Sequence, residues 1–267
     1  MTYSKKLREL FPDISLHAED LLWLETFQIK YLPDRVPVKE FAILLHTYPV
    51  VQRYLLAKHP LLAEFLDPVM ENHKPGPDES LVHAQCQEAL WEIADLIVYN
   101  KYPEQFDKQG PIHWKREEIT SLVPLEGKVM ADVGAGAGRI AFLLAPLART
   151  VFAVEPVFGL RSYMKDKAAR EGRDNLYVMD GTLDSIPLPD GSLDVLITSN
   201  ALGWNLQEEL REIERVVRAG GHALHLLWSK EKVEHPFHPA LTSPPWNYSC
   251  VGDREATPLK LLYCKAI

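Results

Sequence analysis

Asp132-Val133-Gly134-Ala135-Gly136-Ala137-Gly138-Arg139 is the stretch on which the reading of this chain turns. It joins a β-branched run, Val129–Val133, to the apolar stretch Ile140–Ala148, so it sits where a strand ends and a helix begins. Glycines there let the chain turn sharply and let a ligand lie directly on the backbone, with helix N–H groups free to meet anionic groups. By itself the triplet also fits a tight turn in any α/β protein. A second β-branched run, Thr150–Val154, ends in Glu155, 17 residues after Gly138. A carboxylate at such a strand tip can accept both hydroxyls of a ribose through charge-assisted bonds. Loop and carboxylate together mark a candidate nucleotide-type site.

Outward from that loop, the chain divides by its glycines. Of 14, only Gly76 lies before residue 110. Helix interiors disfavour glycine, while α/β folds use it at strand–helix turns, so the first half reads as helical and the second as α/β. Pro37, Pro49 and Pro60 each precede an apolar-rich stretch and suit first turns of helices, giving three short ones: Val38–Tyr48, Val50–Lys58 and Leu61–Met70. Asp78 is a candidate N-cap for a longer helix whose apolar spacing runs through to Asn100. Lys101–Ile112 reads as the joint, which divides a helical cap or substrate-side region, 1–110, from a cofactor-binding domain, 111–267. Strands are expected at Val129–Val133, Thr150–Val154, Leu176–Met179, Leu193–Thr198, Ala223–Trp228 and Leu259–Lys265, with helices after the first four. That rhythm gives a mainly parallel sheet with helices on both faces. Pro236–Pro245 reads as a proline-rich loop with Trp246 and Tyr248 at its end.

Two cofactors fit the loop and the carboxylate. Gly136-Ala-Gly138-Arg-Ile-Ala141 matches G-x-G-x-x-A with Glu155 19 residues beyond Gly136, which suits NAD. The remainder of the half is more specific: Asp180-Gly181-Thr182-Leu183 through Asp194, then Thr198-Ser199-Asn200-Ala-Leu-Gly-Trp204, then Leu210 to Gly221. This ordered series, over about Trp114 to Trp228, resembles the class I S-adenosylmethionine-dependent methyltransferases, in particular their type-11 small-molecule group. The resemblance implies a Rossmann-like sheet of seven strands whose last pair is an antiparallel hairpin. It implies S-adenosylmethionine as cofactor and S-adenosylhomocysteine as product. It places Asp132, Gly134, Ala135, Gly136 and Gly138 under the methionine and ribose, and Glu155 on the ribose hydroxyls. Pro156 and Val157 would border the adenine, Asp180, Gly181, Thr182 and Leu183 would meet its amine side, and Ser199 and Asn200 would lie beside the transferred methyl. The family usually has Asp directly after the glycine matching Gly181. Here Thr182 stands there, so the amine is met either by Asp180 or by Thr182 and backbone.

Methyl transfer from a sulfonium needs alignment and a dry pocket more than any acid or base, and the sequence nominates no catalytic residue. Candidate acceptor contacts are Trp204, Trp246 and Tyr248, with Tyr102 and Phe106 at the joint closing the crevice. His235 and His238 lack further ligands at metal spacing, so no metal is expected. His222 and His225 point to opposite faces of one strand and read as structural. Ser243-Pro-Pro-Trp246 reads as a rigid loop. Lys plus Arg number 29 against 37 for Asp plus Glu, a net charge of −8 without a basic cluster, which disfavours nucleic acid and favours a small-molecule acceptor. The longest apolar stretch is too short to span a bilayer, and Met1–Leu7 is not followed by a secretory core. Three widely spaced cysteines suggest reduced thiols and a cytoplasmic protein. An NAD-dependent oxidoreductase and a non-catalytic cofactor-binding interaction protein remain as alternatives.

Overall fold

The computed structural model describes residues 3–109, 114–229, 239–242, 244–251 and 259–267. The chain forms two compact units, Met1–Gln109 and Gly110–Ile267.

The first unit is helical, and prolines punctuate it. Val38–Thr47 starts after Pro37, Pro49 opens Pro49–Lys58, and Pro60 begins a short 3₁₀ turn that runs into Ala63–Asn72. Pre-set φ and a missing N–H make proline harmless there. Asp78 caps Glu79–Glu92 by accepting from the amides of Ser80 and Leu81. The long helix expected to reach Asn100 is interrupted. Ile93 leaves the helical region (φ −118°, ψ 20°), and a second helix, Ala94–Lys101, begins after it. Apolar spacing continues across the break because Leu90, Ile93 and Ile97 all enter the same core. The expected joint holds a further helix, Pro103–Gln109, while 110–113 lie outside the described residues. Phe41, Leu44, Leu55 and Leu66 are fully buried in the core of this unit.

The second unit contains a sheet of seven strands: β1 Val129–Val133, β2 Thr150–Val154, β3 Leu176–Met179, β4 Leu193–Ser199, β5 Val217–Ser229, β6 Trp246–Cys250 and β7 Leu259–Ala266. Their order is β3-β2-β1-β4-β5-β7-β6, parallel from β3 to β5 and antiparallel at β7 and β6. The inner strands β1 and β4 are buried on both faces, which explains their largely apolar character. One face packs Met130, Val151 and Ile197 under the helices Arg139–Leu144 and Phe158–Arg170. The other packs Ala131, Leu196 and Ala223 with Ile213 and Val216 of the helix Leu206–Val216.

Three expectations change. No helix follows β3: Gly181 to Gly191 with Pro187 and Pro189 forms turns, since the prolines remove donors a helix would need. β5 begins at Val217, directly after the preceding helix, and the pairing with β4 is irregular between Leu193 and Val195. Trp246 and Tyr248 lie in strand β6, not at the end of a loop; the alternation Trp-Asn-Tyr-Ser-Cys pairs with β7 in register. His235 and His238 lie outside the described residues, as does Ser243. No helix among the described residues is long and apolar enough to cross a membrane.

Candidate functional site

Parallel strands β1 to β5 deliver their C-terminal ends to one rim, the usual location of ligands in open α/β sheets. Leaving β1, the chain turns so that the amides of Gly134 and Ala135 both donate to the Val154 carbonyl at the end of β2 (2.9 and 3.1 Å). Gly134 has φ +73°, and a Cβ there would stand 2.4 Å from that of Ala201, beyond β4. The loop therefore needs glycine both for its dihedral and for its approach to the segment after β4. Gly136 (φ +58°) and Gly138 (φ +81°) complete the turn into the helix Arg139–Leu144.

Two acids lie inside this turn. Glu155 is 5% exposed, and its oxygens accept from the Gly136 amide at 2.8 Å and the Val157 amide at 3.0 Å. Burial pushes its carboxyl upward, against the downward pull of those amides and of Arg161. Asp132 is 1% exposed. Its Oδ2 accepts from the Ala141 amide at 2.9 Å, whereas its buried Oδ1 has no hydrogen-bond partner among the described residues. Burial, with the neighbouring Glu155 charge adding to it, raises this carboxyl to about 7. An orphaned buried acceptor beside a second buried carboxylate suits a ligand that brings positive charge and hydroxyl donors.

Arg161, from the helix Phe158–Arg170, donates to the Glu155 carbonyl at 2.9 Å and pairs with Asp180 at 3.0 Å. It thus ties the tip of β2 to that of β3. Val157 and Leu183 are buried, and Pro156, Gly181 and Thr182 are half-buried. The Thr182 hydroxyl donates to Asp184 Oδ1, and the Asn205 amide donates to Asp184 Oδ2 at 3.5 Å.

The segment after β4 is held at both ends. Asn200, with Ser199 before it, adopts φ +52° and grips the backbone of Trp228, accepting from its amide at 3.0 Å and donating to its carbonyl at 3.3 Å. Glu209, 2% exposed, accepts from the consecutive amides of Gly203, Trp204 and Asn205 at 2.7, 3.1 and 3.0 Å. Trp204, carried on that clamped segment, is 60% exposed. On the sheet behind it, Thr198 of β4 is hydrogen bonded to buried His225 of β5, which stacks on Tyr263 of β7.

The structure thus bonds Glu155 to the glycine loop and to Val157, sets Asp132 near enough for the Glu155 charge to act on it, and joins Asp180 to the β2 tip through Arg161. The remaining acceptor candidates are dispersed. Trp246 is 6% exposed within the core of the second unit, turned inward by its register in β6. The side chain of Tyr248 lies outside the description. Tyr102 and Phe106 pack on the core of the helical unit, where the Tyr102 hydroxyl donates to the Ser15 carbonyl and Phe106 meets Tyr99 edge-on. Sequence reasoning passed over Arg161, Asp184 and Glu209. Only Glu209 left a signal, an acid where the helix Leu206–Val216 turns a face inward.

A strand order of 3-2-1-4-5-7-6 with an antiparallel β7 differs from the 3-2-1-4-5-6 order of dinucleotide-binding sheets. Residues 131–225 match the family described as methyltransferase domain. A ubiquinone/menaquinone biosynthesis C-methyltransferase of Rubrivivax gelatinosus is 30% identical over 118 residues, 43% of this chain and 45% of the relative. A malonyl-[acyl-carrier protein] O-methyltransferase of Yersinia pestis is 29% identical over 134 residues, 48% of each. The chain spans about half the length of these curated relatives. A solved methyltransferase of Aquifex aeolicus shares the fold with a TM-score of 0.51 and 19% identity, covering 62% of this chain and 98% of that one. Match and fold agree on the second unit: residues 131–225 resemble a methyltransferase domain, and the sheet shares the fold of a solved methyltransferase.

Proposed function

We propose that the protein transfers a methyl group from S-adenosylmethionine to a small organic acceptor. The observation that carries this reading is the buried pair beneath the glycine loop, Glu155 and the Asp132 carboxylate with its orphaned Oδ1. S-adenosylmethionine supplies, when bound, an electrophilic methyl on a cationic sulfonium. Glu155 takes the ribose hydroxyls while keeping its two amides, since each carboxylate oxygen has a second lone pair. Asp132 and the loop of Gly134, Ala135, Gly136 and Gly138 hold the methionine and ribose end. Pro156, Val157 and Leu183 border the base, and Ser199 and Asn200 stand on the acceptor side. Holding an acceptor in line in a dry pocket can supply roughly 7–11 kcal/mol without a general base.

On the acceptor side, Trp204 and Asn200 are the retained contacts, and the buried position of Trp246 argues against it. The names of the relatives span carbon and oxygen acceptors, so neither atom is favoured. A net charge of −8 favours a small molecule over nucleic acid. The helical unit is assigned a substrate-side role. Free thiols at Cys86, Cys250 and Cys264 favour a reducing, cytoplasmic setting.

Calorimetry with S-adenosylmethionine, S-adenosylhomocysteine and NAD tests the cofactor: the first two bind and NAD does not. Tight NAD binding would overturn the reading in favour of an oxidoreductase. Release of S-adenosylhomocysteine in the presence of small-molecule acceptors separates an enzyme from a cofactor-binding interaction protein, which would bind without turnover.

A further inference from the structure

We propose that the helix Leu206–Val216 couples the cofactor side of the rim to its acceptor side, with Glu212 and Arg215 as positioning residues. A bound cofactor then fixes the segment after β4 before an acceptor arrives; this rests on the S-adenosylmethionine reading above. The helix holds two loops that lack helix and strand of their own. Near its start, Glu209 takes the amides of Gly203, Trp204 and Asn205 after β4. About one and two turns further along, Glu212 and Arg215 take the stretch from Ile186 to Asp190 after β3.

Ile186 is gripped through both of its backbone groups. Its amide donates to Glu212 Oε2 at 2.8 Å, and its carbonyl accepts from Arg215 Nη2 at 2.9 Å. All five guanidinium donors of Arg215 are engaged. Two reach Glu212 at 2.6 and 2.7 Å, and the others reach Ile186, the Leu188 carbonyl at 2.8 Å and Asp190 at 2.8 Å. Gly191 closes the arrangement by donating to the Arg215 carbonyl at 2.8 Å. A planar fork with fixed donor directions transmits position, which a single flexible ammonium does not. Leu183, Ile186 and Leu188 also join Ile213 and Val216 in one apolar core, so turn and helix have little room to move apart. A base seated against Leu183 restrains the turn, the fork passes the restraint to the helix, and Glu209 passes it to residues 203–205. Ordering one site in this way lowers the cost of ordering the other, without a large displacement.

The test is hydrogen exchange on the full chain, with and without saturating S-adenosylhomocysteine, whose binding calorimetry measures separately. In the parent the ligand should slow exchange at residues 203–205 by about fivefold or more, the lower end of coupling between linked sites. Arg215→Met keeps the Glu209 clamp but removes the fork, and should abolish that slowing while the ligand is still bound. Arg215→Lys keeps the charge with three donors in place of five, so it should lose most of the slowing and serves should the Met variant fold poorly. Exchanging the pair, Glu212→Arg with Arg215→Glu, keeps an ion pair without the grip on Ile186 and should not restore the effect. A purely structural role would lower the melting temperature of these variants yet leave the ligand-induced slowing as in the parent, and that result overturns the proposal. A parent that binds S-adenosylhomocysteine without slowing at 203–205 overturns the coupling alone. A parent that does not bind it overturns the methyltransferase reading itself, and this proposal falls with it.

Discussion

Glu155 serves the fold and the proposed ligand with the same two oxygens. It staples Gly136 and Val157 from within, so its loss should loosen the loop as well as remove a ribose contact. Glu155→Ala is expected to weaken S-adenosylmethionine binding by about 1.5–3 kcal/mol, the range for a hydrogen bond to a charged group. Glu155→Gln, which keeps one acceptor oxygen, should lose less. Calorimetric affinities equal to the parent in both variants would remove Glu155 from the site. Asp132 makes a prediction about acidity. Its carboxyl is raised from the ordinary range near 4 to about 7, so the folded chain binds a proton that the unfolded chain releases. The stability this contributes is fully present below about 4 and is lost as pH rises through about 7. Asp132→Asn keeps an acceptor for Ala141 but cannot titrate. Between pH 5 and 8 the parent should therefore lose more thermal stability than the variant, as scanning calorimetry would show. Parallel slopes would place the titrating group elsewhere.

At the scale of elements, the segment after β4 depends on one buried side chain in the helix that follows. Glu209→Ala leaves three consecutive amides without their acceptor and should destabilise the protein by at least about 1.5–3 kcal/mol, the value of one such bond. Faster hydrogen exchange at residues 203–205 should accompany it, and unchanged exchange there would refute the clamp. Legibility in the sequence followed how local the cause was. β1 and β4 could be read because strands buried on both faces must be largely apolar, and Pro37, Pro49 and Pro60 located helix starts because proline acts on its own φ. The absent helix after β3 was signalled by Pro187 and Pro189, yet the βαβ rhythm outweighed them. Strand β6 was obscured by the proline pair before it. Ile93 breaks its helix without glycine or proline, so periodicity ran straight through. Glycine loop and Glu155 were legible because chain spacing sets their meeting; Arg161, Asp184 and Glu209 act on partners whose nearness only the folded chain reveals.

At the scale of the molecule, the helical unit buries its own set of apolar side chains, Leu21, Phe41, Leu44, Leu55, Leu66 and Ile97 among them. A unit of about 100 residues with its own core is large enough to fold alone. Residues 1–109 expressed separately should therefore give a helical circular-dichroism spectrum and a cooperative melt, and a gradual melt would show that the core needs the rest of the chain. The sheet of the other unit carries a timetable in its strand order. β7 lies between β5 and β6 although it is made after both, so β6 has no partner in the sheet until Leu259–Ala266 has been synthesised. At roughly 5–20 residues per second, β5 waits on the ribosome with a bare edge for a few seconds after it emerges. Such an edge can template pairing with another chain. A premature stop before Leu259 would make the wait permanent, leaving the glycine loop encoded in full on a nascent chain prone to aggregate.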